Sequence, residues 1–187
     1  MKHMGNYASI IRPTTVFDFL TKTGEPRPNE KMRDYYSQNL DKDPIAKEWM
    51  DVGYFSTDST VEWFMYYKED LTEELDFSKV DFLKEYSEYR WWAVKIMPGK
   101  CFPRHIDRYQ TNLAAIGYKL PEKDEISEVT RFWMAVEDYH WGHIFAYDDQ
   151  ILHGYKAGDI FEIPDTVHGA GNIGLYPKVS IQIVAKK

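Results

Sequence analysis

From Arg90 onward, apolar residues come in short runs broken by turn chemistry. Residues 91–97 are strand-like and stop at Pro98-Gly99. Further strands are predicted at 114–118, 131–136, 143–147, 151–155, 160–163 and 179–184. Asp148-Asp149, Ala157-Gly158-Asp159 and Gly171-Asn172 supply the breaks between them. Short strands at such close intervals predict a sandwich or barrel, of which the jelly roll is one form.

The first 89 residues read differently. Asp43-Pro44 places a capping residue before a proline at the first helical position, which predicts a helix from Pro44 to about Asp51. Ser59-Thr60-Val61-Glu62 has the form of a capping box, and Val61, Phe64, Met65 and Leu71 follow at helical spacing. A helix over 60–74 is therefore expected. Residues 16–20 read as a short strand, 23–29 as a loop and 78–86 as a helical turn or two. The chain thus reads as one domain, 1–187, with a helical or mixed buttress over 1–89 and a β-rich body over 90–187.

Composition narrows the classes. With 187 residues the chain is long enough to build a core without staples, and its single cysteine, Cys101, excludes an internal disulfide framework. Neither a membrane-spanning apolar run nor the apolar core of a signal peptide is seen, so a cytoplasmic protein is expected. The formal net charge of −7 argues against general nucleic-acid binding.

The candidate chemistry centres on His105-Ile106-Asp107. On a strand, residues two apart share a face, so His105 and Asp107 would offer an imidazole and a carboxylate to one point. His168 arrives downstream as a possible third ligand. Two histidines and a carboxylate make the facial triad suited to non-haem Fe(II). His140 and His143 compete for this role, but Gly142 between them marks a turn that would not fix both rings. Ten residues after His168 comes Lys178, and Lys178 and Ser180 project from one face of the last strand. An inward lysine there needs an anionic partner.

His105-x-Asp107, His168 and Lys178-x-Ser180 together resemble the Fe(II)- and 2-oxoglutarate-dependent dioxygenases, over about residues 90–185. The lysine resembles that of the collagen-type prolyl hydroxylases, where most of the superfamily has arginine. The resemblance implies a mainly β fold, the double-stranded β-helix, with N-terminal helices packed on it. It implies Fe(II) on His105, Asp107 and His168, with dioxygen and 2-oxoglutarate as cosubstrates. Lys178, helped by Ser180, or else Arg131, would hold the distal carboxylate of 2-oxoglutarate. The reaction implied is decarboxylation to succinate coupled to hydroxylation of a protein side chain or small molecule. Arg104, Arg108, Tyr109, Asn112, Arg131 and Trp133 would stand near the pocket.

Gly99 and His105 with five residues between them, and Gly158…Pro164…His168-x-x-x-Asn172, are also similar to the two cupin motifs. Asp107 stands where a cupin has its second histidine. A non-oxidative metal-dependent cupin enzyme and a jelly-roll binding module are the alternatives.

Overall fold

The structure, a computed structural model, describes residues 1–42, 44–65, 71–73, 75–106 and 129–187, without the side chains of residues 44, 45 and 65. Asp107, the strand expected at 114–118 and the charged stretch 119–128 lie outside the described residues.

The first half contains β1 (Lys2–Asn6), α1 (Pro13–Thr21), β2 (Glu25–Arg27), α2 (Glu30–Gln38), α3 (Pro44–Asp51) and β3 (Val61–Met65). The second contains β4 (Glu88–Ile96), β5 (Cys101–His105), β6 (Val129–Ala135), β7 (His143–Tyr147), β8 (Gln150–Ile151), β9 (Asp159–Ile163), β10 (His168–Asn172) and β11 (Lys178–Lys186). These strands form two antiparallel sheets. The larger has the order β1-β9-β6-β11-β4-β3-β2, and the smaller β5-β10-β7-β8. The fold is mainly β, a double-stranded β-helix or jelly roll. No helix among the described residues is long and apolar enough to cross a membrane.

Strand alternation gives the large sheet two different faces. On the outer face, Ala93, Phe132, Met134, Val179, Ile181 and Ile183 pack with Phe19 of α1 and with Phe77, Val80 and Leu83. Phe77 and Leu83 come from short 3-10 turns, Phe77–Lys79 and Asp81–Glu85, and Val80 from the single residue between them, in the place where helical turns were expected. The inner face carries Trp92, Val94 and Ile96 on β4, with Lys178, Ser180 and Gln182 on β11. In register, Gln182 lies between Trp92 and Trp133, so this face mixes polar groups with large rings.

The first half gives three strands to the large sheet, and α1 packs on its outer face through Phe19. Where a helix was expected over 60–74, residues 61–65 are β3, with Trp63 opposite Val94 of β4, and residues 66–70 and 74 lie outside the described residues. Pairing with a buried strand outweighs a weak helical periodicity. The cap signal belongs slightly upstream, where the Ser56 side chain accepts a hydrogen bond from Ser59 N at the 3-10 turn Thr57–Ser59. Glu62 makes no capping box; it pairs with Lys95 at 2.7 Å and accepts from Gly24 N.

Residues 16–20, expected as a strand, lie inside α1, which Pro13 starts. Within 23–29, expected as a loop, β2 pairs with β3 at the sheet edge, where a proline is tolerated. The strand expected over 151–155 is reduced to β8, and Tyr155 turns into the core beside Trp133. Gly171-Asn172, read as a break, lies in β10. A Cβ on Gly169 of that strand would lie 3.1 Å from the Phe102 carbonyl oxygen, so glycine lets β10 come close to β5.

Candidate active site

His105 ends β5 and His168 begins β10, and the two residues are direct partners in the ladder between those strands. Their ring centroids lie 4.8 Å apart. Each ring is fixed in the same way. Nδ1 of His105 donates to the Pro103 carbonyl at 2.6 Å, and Nδ1 of His168 donates to the Thr166 carbonyl at 2.9 Å. A carbonyl oxygen only accepts, so Nδ1 carries the proton in both rings and Nε2 keeps its lone pair. A backbone carbonyl on the far nitrogen is the usual support of a metal-ligating histidine.

Electrostatics hold both rings neutral. Burial pushes the His105 pKa down, and the Arg131 charge adds to that. For His168, burial, then Arg131 and then His105 bring it down to about 3. Neutral imidazoles are the form that binds a metal.

Arg131 stands on the inner face of β6. Its Nη1 lies 3.3 Å from Nε2 of His168, donating into that lone pair, and its Nη2 donates to Gln182 Oε1 at 3.4 Å. Burial lowers its own pKa to about 10, still far above neutrality. The sequence offered Arg131 as a substitute for Lys178 and as a residue near the pocket. Its link to His168 spans 37 residues of chain and is visible only through the fold.

Lys178 and Ser180 share the inner face of β11, exposed by only 1% and 2%. The Lys178 ammonium lies 5.5 Å from the Trp133 ring and 5.7 Å from the Phe145 ring. It has no hydrogen-bond partner among the described residues. Burial alone brings its pKa down to about 7. Ser180, Trp133 and Phe145, but not Lys178 itself, line an open cavity with about 630 Å³ of empty space counting its mouth, together with both histidines, Arg131 and Gln182.

Much of the remaining wall is aromatic and comes from elements whose part in the site the sequence did not disclose. Trp49 of α3, Tyr54 just after it and Trp63 of β3 all line the cavity. Of the other residues expected near the pocket, Arg104 instead points outward and bonds to the Asp148 carbonyl. Arg108, Tyr109 and Asn112 lie outside the described residues.

His140 and His143 sit apart from this centre with ring centroids 5.3 Å from each other, and Nε2 of His143 donates to the Tyr176 carbonyl. Among the described residues no three His, Cys, Asp or Glu side chains converge as a metal site. The described part therefore brings together two of the three expected ligands, His105 and His168, and Asp107 lies beyond it.

No protein-family model and no curated protein matches the chain. Solved structures do show likeness. A predicted oxalate decarboxylase from Thermotoga maritima is 12% identical, with a TM-score of 0.39 over 68% of this chain and 82% of that one. An RmlC-like cupin from Shewanella frigidimarina is 13% identical, with a TM-score of 0.36 over 71% and 80%. A protein with a double-stranded β-helix domain from Klebsiella pneumoniae is 20% identical, with a TM-score of 0.35 over 53% and 68%. Likeness at this level says nothing of what the site does.

Proposed function

We propose that this chain is an Fe(II)- and 2-oxoglutarate-dependent dioxygenase, with His105, Asp107 and His168 as the metal ligands. The observation that carries the reading is a pair of neutral, carbonyl-anchored histidines lining one cavity, with a buried lysine against the Trp133 and Phe145 rings of that cavity that has no hydrogen-bond partner among the described residues. The donor set fits: two imidazole lone pairs from adjacent strands, with a carboxylate two residues after one of them in sequence. Fe(II) held there, with dioxygen, would supply the chemistry that couples decarboxylation of 2-oxoglutarate to oxidation of a substrate C–H bond.

The chain's own residues bind, orient and exclude water. Lys178 carries the cost of a desolvated ammonium with no hydrogen-bond partner among the described residues, and the distal carboxylate of 2-oxoglutarate would relieve it. Ser180, on the same face, can donate a second hydrogen bond to that carboxylate. Arg131 gives up Nε2 of His168 when that lone pair is used for coordination. Another carboxylate oxygen of 2-oxoglutarate is the acceptor its Nη1 can take next. Trp133 and Phe145 shield the charges from water, which strengthens each pairing.

The test is equilibrium binding of 2-oxoglutarate to anaerobic, Fe(II)-loaded protein. Lys178→Ala should weaken binding more than about a hundredfold, since breaking a desolvated charge pair costs roughly 3–5 kcal/mol. Lys178→Arg should restore part of it. A parent protein that binds Fe(II) but not 2-oxoglutarate would turn the reading to a cupin enzyme without a keto-acid cosubstrate.

A further inference from the structure

Three turns meet at the end of the barrel away from the two histidines. They are residues 97–100 between β4 and β5, 136–142 between β6 and β7, and 173–177 between β10 and β11. His105 closes β5 and His168 opens β10, so both stand at the other end of their strands. The turns present large apolar side chains to solvent. Leu175, Trp141, Ile173 and Tyr176 are exposed by 87%, 79%, 66% and 63%, with the exposed Met97 on the third turn. Of the other large apolar side chains among the described residues, only Phe17 of α1 is as open.

Hydrogen bonds tie these turns into one surface. Ile173 N donates to the Gly142 carbonyl at 2.9 Å, and Gly99 N to the Asn172 carbonyl at 2.8 Å. The buried Asn172 side chain donates to the Ile96 and Tyr176 carbonyls and accepts from Gly174 N. Gly142, at φ +91°, comes so close that a Cβ there would run into the Gly174 backbone. The Tyr176 ring lies 5.6 Å from that of His140. The apolar groups thus stand on a preformed platform, and little ordering cost opposes their burial.

We propose that this end of the barrel is an interface with a second copy of the chain, in a two-fold dimer that leaves both histidine pairs of the two cavities outside the contact. The proposal is independent of the dioxygenase reading.

Area and charge select a second copy. At roughly 150–250 Å² for a fully presented side chain of this size, the five together offer on the order of 700 Å². The largest apolar patch of a typical monomer is about 300–600 Å², and a stable complex buries about 800 Å² on each partner. With a polar rim the patch reaches the second figure. Residues 97–99, 139–143 and 173–177 contain no Asp, Glu, Lys or Arg. The charges that flank them are engaged: Lys100 donates to the Thr57 carbonyl, and Asp138 pairs with Lys156. Two chains of net charge −7 repel each other, and an uncharged face lets them meet at the least Coulomb cost. A two-fold axis sets the patch against itself, so apolar surface covers apolar surface. The same lack of charge disfavours a lipid surface, because membrane binding also draws on Lys and Arg attracted to anionic headgroups.

Sedimentation equilibrium of the full-length protein reads the state directly. The parent should be a dimer with a Kd of about 10 µM or tighter, since interfaces of standard size reach micromolar affinity or better. Trp141 is covered in that dimer, so tryptophan emission should move to the blue with rising concentration, a shift lost in Trp141→Phe. Leu175→Asp puts a carboxylate into the apolar face of each copy and should weaken the dimer more than about a hundredfold. Its thermal unfolding should stay near the parent's, because position 175 is open in the single chain. Phe17→Asp, the same kind of change on α1, should leave the dimer intact. Phosphatidylcholine vesicles, with or without phosphatidylserine, should not retain the parent. A parent that stays monomeric up to about 100 µM would overturn the proposal. So would a dimer that Leu175→Asp leaves intact or that Phe17→Asp weakens equally. Vesicle retention abolished by Leu175→Asp would overturn it too and assign the face to lipid. Should Leu175→Asp fold poorly, Trp141→Ser on the neighbouring turn gives the same reading.

Discussion

His105 and His168 face each other across the β5–β10 ladder, each with Nδ1 tied to the backbone carbonyl two residues before it. Two strands thus deliver two lone pairs to one place without help from a flexible loop. If those lone pairs bind metal, each single ligand is indispensable. His105→Ala, His168→Ala and Asp107→Ala should each lower Fe(II) affinity by more than about a hundredfold, measured anaerobically by calorimetry. His140→Ala should leave it unchanged, because that ring belongs to a separate group with His143 and Tyr176.

Arg131 competes with the metal for Nε2 of His168 and adds a positive charge beside it. Arg131→Gln should therefore tighten Fe(II) binding by roughly tenfold, the direction that removing a nearby like charge requires. The same variant should bind 2-oxoglutarate more weakly. An Arg131→Gln protein that loses metal affinity would show the guanidinium supporting the site instead.

Lys178 makes stability depend on pH in a defined window. Its folded pKa, about 7, lies below its ordinary value, so between about 7 and 10 the unfolded chain holds a proton that the folded chain has released. Stability from this group rises with pH across that window and is lost as pH falls back through it toward 7. Lys178→Met should flatten the rise in thermal denaturation scans. Binding of 2-oxoglutarate should reprotonate the amine, so about one proton should be taken up at pH 8 and almost none at pH 6. Calorimetry in buffers of different ionisation enthalpy reads this directly.

Gly169 lets the histidine-bearing strands approach. Gly169→Ala brings a Cβ to 3.1 Å from the Phe102 carbonyl and 3.2 Å from Arg104 Cα, both backbone atoms that cannot swing aside. A loss of about 1–3 kcal/mol is expected in denaturant unfolding, with weaker metal binding as β5 shifts. An alanine variant of unchanged stability would show that β5 moves freely.

What the sequence disclosed depended on the kind of signal. β4, β6, β7, β9 and β11 were legible because buried strands rich in Val, Ile, Phe and Trp advertise themselves. β10 was not, because His168-Gly169-Ala170-Gly171-Asn172 has little β-propensity and owes its strand to the neighbours on both sides. β3 imitated a helix because Val61, Phe64 and Met65 fall at helical spacing, and only pairing with β4 decides the matter. At the site, His105, His168, Lys178 and Ser180 could be picked out by residue type and spacing. The aromatic wall could not: Trp49, Tyr54 and Trp63 reach the cavity through α3 and β3, far from the histidines in sequence. Nothing local marks a tryptophan as part of a site when so many others are core.

In the proposed function the His105–His168 centre and Lys178 act together on 2-oxoglutarate. Succinate release from 2-oxoglutarate under air, with no primary substrate added, measures this without knowing what is oxidised. The parent should form succinate slowly and only with Fe(II). His168→Ala should form none, and Lys178→Ala should need more than about a hundredfold higher 2-oxoglutarate for the same rate. A parent that holds Fe(II) yet forms no succinate, or a Lys178→Ala variant with an unchanged 2-oxoglutarate requirement, would contradict the proposed function.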